Sequence, residues 1–245
     1  MQSKCSSGNP TAPFRHDRIL FIFRSFLLLC MIGAPARLFA QGSGYWHASG
    51  SQILDSNGRV TRIAGINWYG FETTDQVVHG LWAQDYHTIL NDIKSLGYNV
   101  VRLPYSNQMV ESPVLPSNIS FANGSGPINT DLKGLNALQV MDKLISAAGA
   151  IGLRVILDNH RSEAGNSAEQ NGLWYTSSYP ESAWINDWKT LTTRYMNFTG
   201  GSGNPIVIGM DLRNEPHLSV KVVGVVENSS RQVTQSASVG TLTVN

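Results

Sequence analysis

IVIGMDLRNEP, residues 206–216, starts as an apolar run and ends in a cluster of charged and amide side chains. Near-continuous apolar residues suit a strand buried on both faces, as in a parallel sheet. Three earlier stretches have the same form: Arg62–Trp68 (RIAGINW), Asn99–Ser106 (NVVRLPYS) and Arg154–His160 (RVILDNH). Between them lie segments with helical periodicity. Gln84–Leu96 places Tyr86, Ile89, Leu90, Ile93 and Leu96 on one face, with Gly97 as the stop. Asn136–Ile151 does so with Leu138, Met141, Ile145 and Ala148, before Gly152. Glu181–Asn197 follows Pro180 and carries Trp184, Trp188, Leu191 and Tyr195. The order βαβαβαβ predicts an α/β fold of right-handed parallel units.

Each strand ends in polar groups: Asn67 beside Trp68, then Arg102, then Asp158 and His160, then Asn214 and Glu215. Converging strand tips are where a (β/α)8 barrel builds its site. The polar, Gly/Ser/Asn-rich stretches Asn107–Asp131 and Arg161–Pro180 each follow a strand tip, where long loops are usually functional. Gly42–Asn57 reads as a hairpin beneath the barrel, ending in an Asn57-Gly58 turn.

The chain has 245 residues, 42% hydrophobic and 14% charged, with a net charge of +1. This suits one sizeable core, excludes a disordered or disulfide-dense chain, and gives no bulk charge signal for nucleic acid. Residues 1–40 read as a secretory signal: Lys4, Arg15, Arg18 and Arg24 precede the apolar run Ser25–Ala34. That run is too short to span a bilayer. Cleavage is expected after Ala40 or after Ala36, giving a secreted protein with no membrane segment. Removing 1–40 takes away Cys5 and Cys30, so the mature chain has no disulfide and no cysteine nucleophile.

Other catalytic motifs are absent. There is no H-E-x-x-H, and the spacing of Asp158, His160 and Glu163 matches no common metal site. No G-x-S-x-G occurs, and Gly200–Gly203 precedes a strand, whereas a phosphate loop follows one.

Asp211–His217 (DLRNEPH) resembles the Asn-Glu-Pro signature of retaining glycoside hydrolases of family 5, the cellulase family. The segments YWHASGSQILDSNGRVTRIAGINWYGFET, HGLWAQDY, LGYNVVRLPYS, LQVMDKLISAAGAIGLRVILDNHR and LWYTSSYPESAWINDW match in order, from about Gly44 to His217. They are similar to secreted bacterial endo-β-1,4-glucanases. The resemblance implies a (β/α)8 barrel, here about four βα units in residues 41–216, acting on cellulose or another β-glucan with no cofactor and no metal. It implies Glu215 as general acid/base, with a pKa raised by partial burial and a nearby nucleophile. It implies Asn214 on the sugar 2-hydroxyl, Arg102 beneath the nucleophilic carboxylate and His160 beside the cleaved bond. Trp68 and Trp174 are the expected sugar platforms, with Asn67 beside them; Trp184 and Trp188 fit a helix core. No protein partner is indicated.

Residues 217–245 depart from the family pattern. Of these 29 residues 16 are Val, Ser or Thr, and none is aromatic. Val220–Val226 is a possible strand and the rest reads as a loose polar tail. Glu227 is poorly placed as nucleophile, so that role has no residue. The expectation is an incomplete endoglucanase with little hydrolysis of its own. A non-catalytic glycan-binding half-barrel and a mannanase-type activity are the alternatives.

Overall fold

A computed structural model describes residues 42–167, 169, 171–217, 233–237 and 240–244. Residues 1–40, the Val220–Val226 strand and Glu227 lie outside the described residues. Three short strands, β1 (His47–Ser49), β2 (Gln52–Leu54) and β3 (Val60–Thr61), form an antiparallel sheet in sequence order. The expected hairpin is therefore a three-stranded meander. Asn57-Gly58 lies in its second turn, where the Asp55 carboxylate accepts the N–H groups of Ser43, Asn57 and Arg59.

The central sheet is parallel, in the order β4 (Gly65–Asn67), β5 (Val100–Ser106), β8 (Arg154–Arg161) and β9 (Val207–Asp211). Three of the four strands fall within the apolar runs, and β8 extends its run by one residue, to Arg161. The outer two are shorter than those runs: β4 starts at Gly65 and β9 stops at Asp211, with residues 212–217 forming the following turn. The inner strands, flanked on both sides, are longer and almost wholly buried.

Helices α1 (Tyr86–Ser95), α3 (Ala137–Ala150) and α4 (Glu181–Tyr195) connect the strands. Asp85 caps α1 by accepting the His87 N–H, and Asn136 with Gln139 closes a reciprocal capping box on α3. Tyr86, Leu90 and Ile93 of α1 and Val140, Met141, Leu144, Ile145 and Ala148 of α3 join the core under the sheet. Leu96 is exposed because it is already the C-cap of α1, past the last turn that faces the sheet. Gly149 and Gly200 lie backbone to backbone, where a Cβ on Gly200 would stand 2.5 Å from the Gly149 carbonyl oxygen.

The loop after β5 contains a short helix α2 (Asn107–Glu111), a small ladder of β6 (Ala122–Asn123) with β7 (Gly126–Pro127), and a 3-10 turn at Thr130–Leu132. Asn129 organises it at φ 50°. Its side chain accepts the Tyr86 N–H and donates to the carbonyls of Leu81, Gln84 and Ser120. At the opposite end of the sheet, Arg154 Nη2 donates to the Gly42 carbonyl and Gly44 N–H donates to Asn204, fixing the meander beneath the strands.

The tail departs from the sequence expectation. Residues 233–244 hold an antiparallel pair, β10 (Val233–Ala237) with β11 (Gly240–Val244), in place of a loose segment. The β-branched Val233, Thr234, Thr241, Thr243 and Val244 favour extended backbone.

Leu144 is fully buried between α3 and the sheet. Leu144→Ala should cost about 2–5 kcal/mol, against about 1 kcal/mol for the capping change Asn136→Ala. Urea denaturation of both variants checks the order and the size.

Candidate functional site

Strand register sets the site. Asn67 pairs with Arg102 across β4 and β5, and Asp158 pairs with Asp211 across β8 and β9. Alternation along β8 sends Asp158 and His160 to one face and Asn159 to the other.

Arg102 is the hub of the first face. Its Nη2 donates to Asp211 Oδ2 at 2.7 Å and to Asn214 Oδ1 at 3.1 Å, and stands 3.0 Å from Asp158 Oδ1. Nε reaches Asp211 Oδ2 at 3.2 Å and Nη1 reaches Asn67 Oδ1 at 3.5 Å. The resemblance puts Arg102 under a nucleophilic carboxylate; in the structure its carboxylate partners are Asp158 and Asp211.

Asp158 is fully buried, and burial pushes its carboxyl above the usual range. The hydrogen bond from His160 and the charge of Arg102 pull it down again. A carboxylate only accepts, so His160 Nδ1, 2.7 Å from Asp158 Oδ2, carries the ring proton. Nε2 is then an acceptor, 3.4 Å from Asn214 Nδ2. Arg102 and His160 thus determine the amide orientation of Asn214: the oxygen faces the guanidinium and the nitrogen faces the imidazole.

Glu215 follows in the left-handed region, at φ 44°. A non-glycine residue there costs of order 1–3 kcal/mol and persists only where its surroundings hold it. Asn214 N–H donates to the Asn159 carbonyl, His217 N–H donates to the Gly172 carbonyl, and His217 Nδ1 lies 2.9 Å from the Glu215 carbonyl oxygen. Gly172 has φ 66°, and a Cβ there would stand 1.9 Å from the His217 oxygen. The Glu215 side chain is exposed, in contrast to the partial burial expected of it, because the turn that carries it follows an outer strand of the described sheet.

The opposite face carries a buried polar chain. Arg213 Nη1 donates to Asn159 Oδ1 at 2.7 Å, Asn159 Nδ2 donates to Asn107 Oδ1, and Asn107 Nδ2 donates to Asp187 Oδ2 at 2.6 Å. Arg213 Nη2 also meets Glu169 Oε2 at 3.3 Å, which ties the loop after β8 to the turn after β9. Burial pushes the Asp187 carboxyl up to about 6, against the opposing hydrogen bond from Asn107.

Asn67, Arg102, His160, Asn214 and Glu215 line one cleft of about 530 Å³ at the strand tips. Sequence reasoning missed Tyr69, Glu72, Thr73 and His79, which line it too, as do Gly165–Ser167. Tyr69 lies two positions beyond Asn67, so alternation was its available signal. Trp68 is corrected. It is 7% exposed, packs into the core and donates from Nε1 to the His79 carbonyl. The residue after Asn67 faces away from the cleft, and the 53%-exposed Tyr69 takes the cleft-facing place. Its ring packs edge-on against His79, which in turn meets Trp82.

Trp174 lies outside this cleft. Its Nε1 donates to Glu181, and its ring packs toward Trp184 beside α4. Trp188 is buried as expected of a helix core, whereas Trp184 is only half-buried. Together they border an apolar groove with Leu212, whose carbonyl accepts from both indoles. Among the described residues, no group of three or more His, Cys, Asp or Glu is arranged to hold a metal ion.

A protein-family profile described as cellulase (glycosyl hydrolase family 5) matches residues 54–238, a span that runs past Pro216, where the sequence reading ends the resemblance. The chain is 47% identical over 178 residues to an endoglucanase of Paenibacillus polymyxa, covering 73% of this chain and 41% of that one. It is 37% identical over 196 residues to the major extracellular endoglucanase of Xanthomonas campestris pv. campestris, covering 80% and 38%. Among solved structures, an endocellulase from Pyrococcus horikoshii in complex with cellotetraose has 36% identity and a TM-score of 0.62, covering 75% of this chain and 46% of that one. The catalytic domain of the Xanthomonas campestris major endoglucanase has 38% identity and a TM-score of 0.62, covering 72% and 47%. The chain spans about two fifths of the length of these curated relatives.

Asp187 holds its proton more tightly folded than unfolded, so its contribution to stability falls as pH rises from about 4 through about 6. Asp187→Asn should flatten the melting temperature over that range and raise it at pH 7.5. Thermal melts of wild type and variant across pH 4–8 check this.

Proposed function

The chain belongs to the cellulase family, glycosyl hydrolase family 5, and from that premise we propose that its site serves endo-hydrolysis of β-1,4-glucosidic bonds in cellulose or β-glucan, with retention at the anomeric carbon. The single observation that carries the reading is the tie of Asn214 to Arg102 and His160 in one cleft that the adjoining Glu215 also lines.

Retaining hydrolysis uses two carboxyl groups roughly 5–5.5 Å apart. Glu215 is our candidate for the acid. It gives its proton to the glycosidic oxygen as the bond to the anomeric carbon breaks. A second carboxylate, not assigned to a residue of this chain, attacks that carbon and forms a glycosyl ester. Water then attacks the same anomeric carbon, gives a proton to Glu215 and displaces the carboxylate, which restores both carboxyls. The Asn214 Nδ2 hydrogens are aimed away from Arg102, which suits donation to a sugar hydroxyl. A bond to the 2-hydroxyl strengthens in the transition state and stabilises it by several kcal/mol at most. The positive Arg102 keeps the Asp158 and Asp211 carboxylates from repelling the attacking one. Tyr69 offers an exposed aromatic face, the surface that covers the apolar side of a pyranose.

Relatives at 26% and 25% identity include two mannan endo-1,4-β-mannosidases, one of them termed probable, so mannan is the second substrate to test. Incubating the purified protein with carboxymethylcellulose, β-glucan and mannan, and measuring reducing ends, separates the readings. Because the second carboxylate has no assigned residue, we expect only weak release from β-1,4-glucan, lowered at least a hundredfold by Glu215→Gln. Release from mannan alone would replace the substrate. Binding of cellotetraose without release would favour a glycan-binding role.

We also propose that residues 1–40 direct export, supported by the basic segment followed by a ten-residue apolar run. The exported protein should then begin at Gln41 by N-terminal sequencing, and a start at Met1 would contradict this.

A further inference from the structure

Glu72 is a buried carboxyl that the roles above leave unused. It lies in the loop after β4, is 6% exposed, and lines the same cleft as Arg102, His160, Asn214 and Glu215. We propose that Glu72 is a substrate-binding residue whose carboxyl accepts a hydrogen bond from a sugar hydroxyl in the cleft, an inference that rests on the β-glycan reading above.

The loop is built to present it. Gly70 has φ 138°, and a Cβ there would stand 2.1 Å from the Val77 carbonyl oxygen, so the chain turns sharply at a residue that must be glycine. The Gly70 N–H then donates to Glu72 Oε2 at 2.6 Å, and Thr73 closes the turn onto the Gly70 carbonyl through both its N–H and its hydroxyl. From the other side, Gly165 N–H donates to the Glu72 carbonyl, joining this loop to the cleft wall after β8. The side chain therefore cannot swing out to water.

A carboxylate has about four acceptor sites. Backbone N–H groups of Gly70 and Glu72 are the hydrogen-bond donors that stabilise this one. Burial pushes the carboxyl up, while His160 opposes the shift and Asp158 adds to it. With Oε2 taking the Gly70 N–H, the remaining acceptor sites of the carboxyl are open to a ligand in the cleft it lines. A polyhydroxylated ligand entering the cleft supplies donors where apolar packing could not. The turn-capping bond alone would explain burial, but it does not require that the carboxyl line the cleft.

Cellotetraose titrated by calorimetry into wild type, Glu72→Gln and Glu72→Ala, each with a thermal melt, tests this. Gln retains a carbonyl oxygen for the Gly70 N–H but replaces the second acceptor with a donor. Glu72→Gln should keep the wild-type melting temperature and weaken binding about tenfold, the step of one lost hydrogen bond. Glu72→Ala should lose both stability and binding. Wild-type affinity in Glu72→Gln overturns the proposal, and so does a loss of affinity that merely follows a lower melting temperature. Absence of cellotetraose binding by wild type overturns the β-glycan reading and this one together. Wild-type binding with an indifferent Glu72→Gln overturns this one alone.

Discussion

One guanidinium holds the strand tips together. Two carboxylates, Asp158 and Asp211, lie in register on neighbouring strands and would repel each other across a few ångströms of protein. Arg102, reaching across from β5, makes that pairing tolerable. Because its partners come from β4, β8, β9 and the turn after β9, the order of the four strands and the orientation of Asn214 are set by the same charge. Removing such a partner from a buried ionic cluster leaves uncompensated charge, which is why these clusters are far more costly to break than their net worth suggests.

The two faces of β8 divide the labour. On one side, buried Asp158 holds His160 at the cleft, where Nε2 meets the Asn214 amide. Asn159 faces the other way, where hydrogen bonds link it to Arg213 and, through Asn107, to Asp187 in a buried environment. The second network contains no cleft-lining group, yet Asn159 also accepts the Asn214 N–H through its carbonyl. The helix layer therefore supports the reactive turn through one backbone bond and one arginine.

Much of this was legible in the sequence. The apolar runs located the four parallel strands of the described sheet, because strands flanked on both sides bury mostly apolar side chains ahead of their polar tips. Polar residues at the run ends located Asn67, Arg102, His160, Asn214 and Glu215. The misreadings have a common physical cause. Trp68 and Trp174 have the chemistry and chain position of sugar platforms, but which way a ring turns depends on partners distant in sequence. The His79 carbonyl draws Trp68 inward, and Glu181 with Trp184 holds Trp174 beside α4. Glu72 went unread because no periodicity governs a loop, and only the folded turn at Gly70 shows where its carboxyl lies. The meander was read as a hairpin because its second and third strands are too short to show alternation.

The two indoles that share the Leu212 carbonyl give the protein an optical reporter. Leu212 stands between the end of β9 and the Asn214–Glu215 turn, so any shift of that turn alters the hydrogen bonding of both rings at once. Indole emission is sensitive to such bonds, and a red or blue displacement upon adding an oligosaccharide would register movement at the strand tip without an attached dye. Residues 41–245 contain no cysteine and so offer no thiol for conventional labelling, and these tryptophans make that lack unimportant.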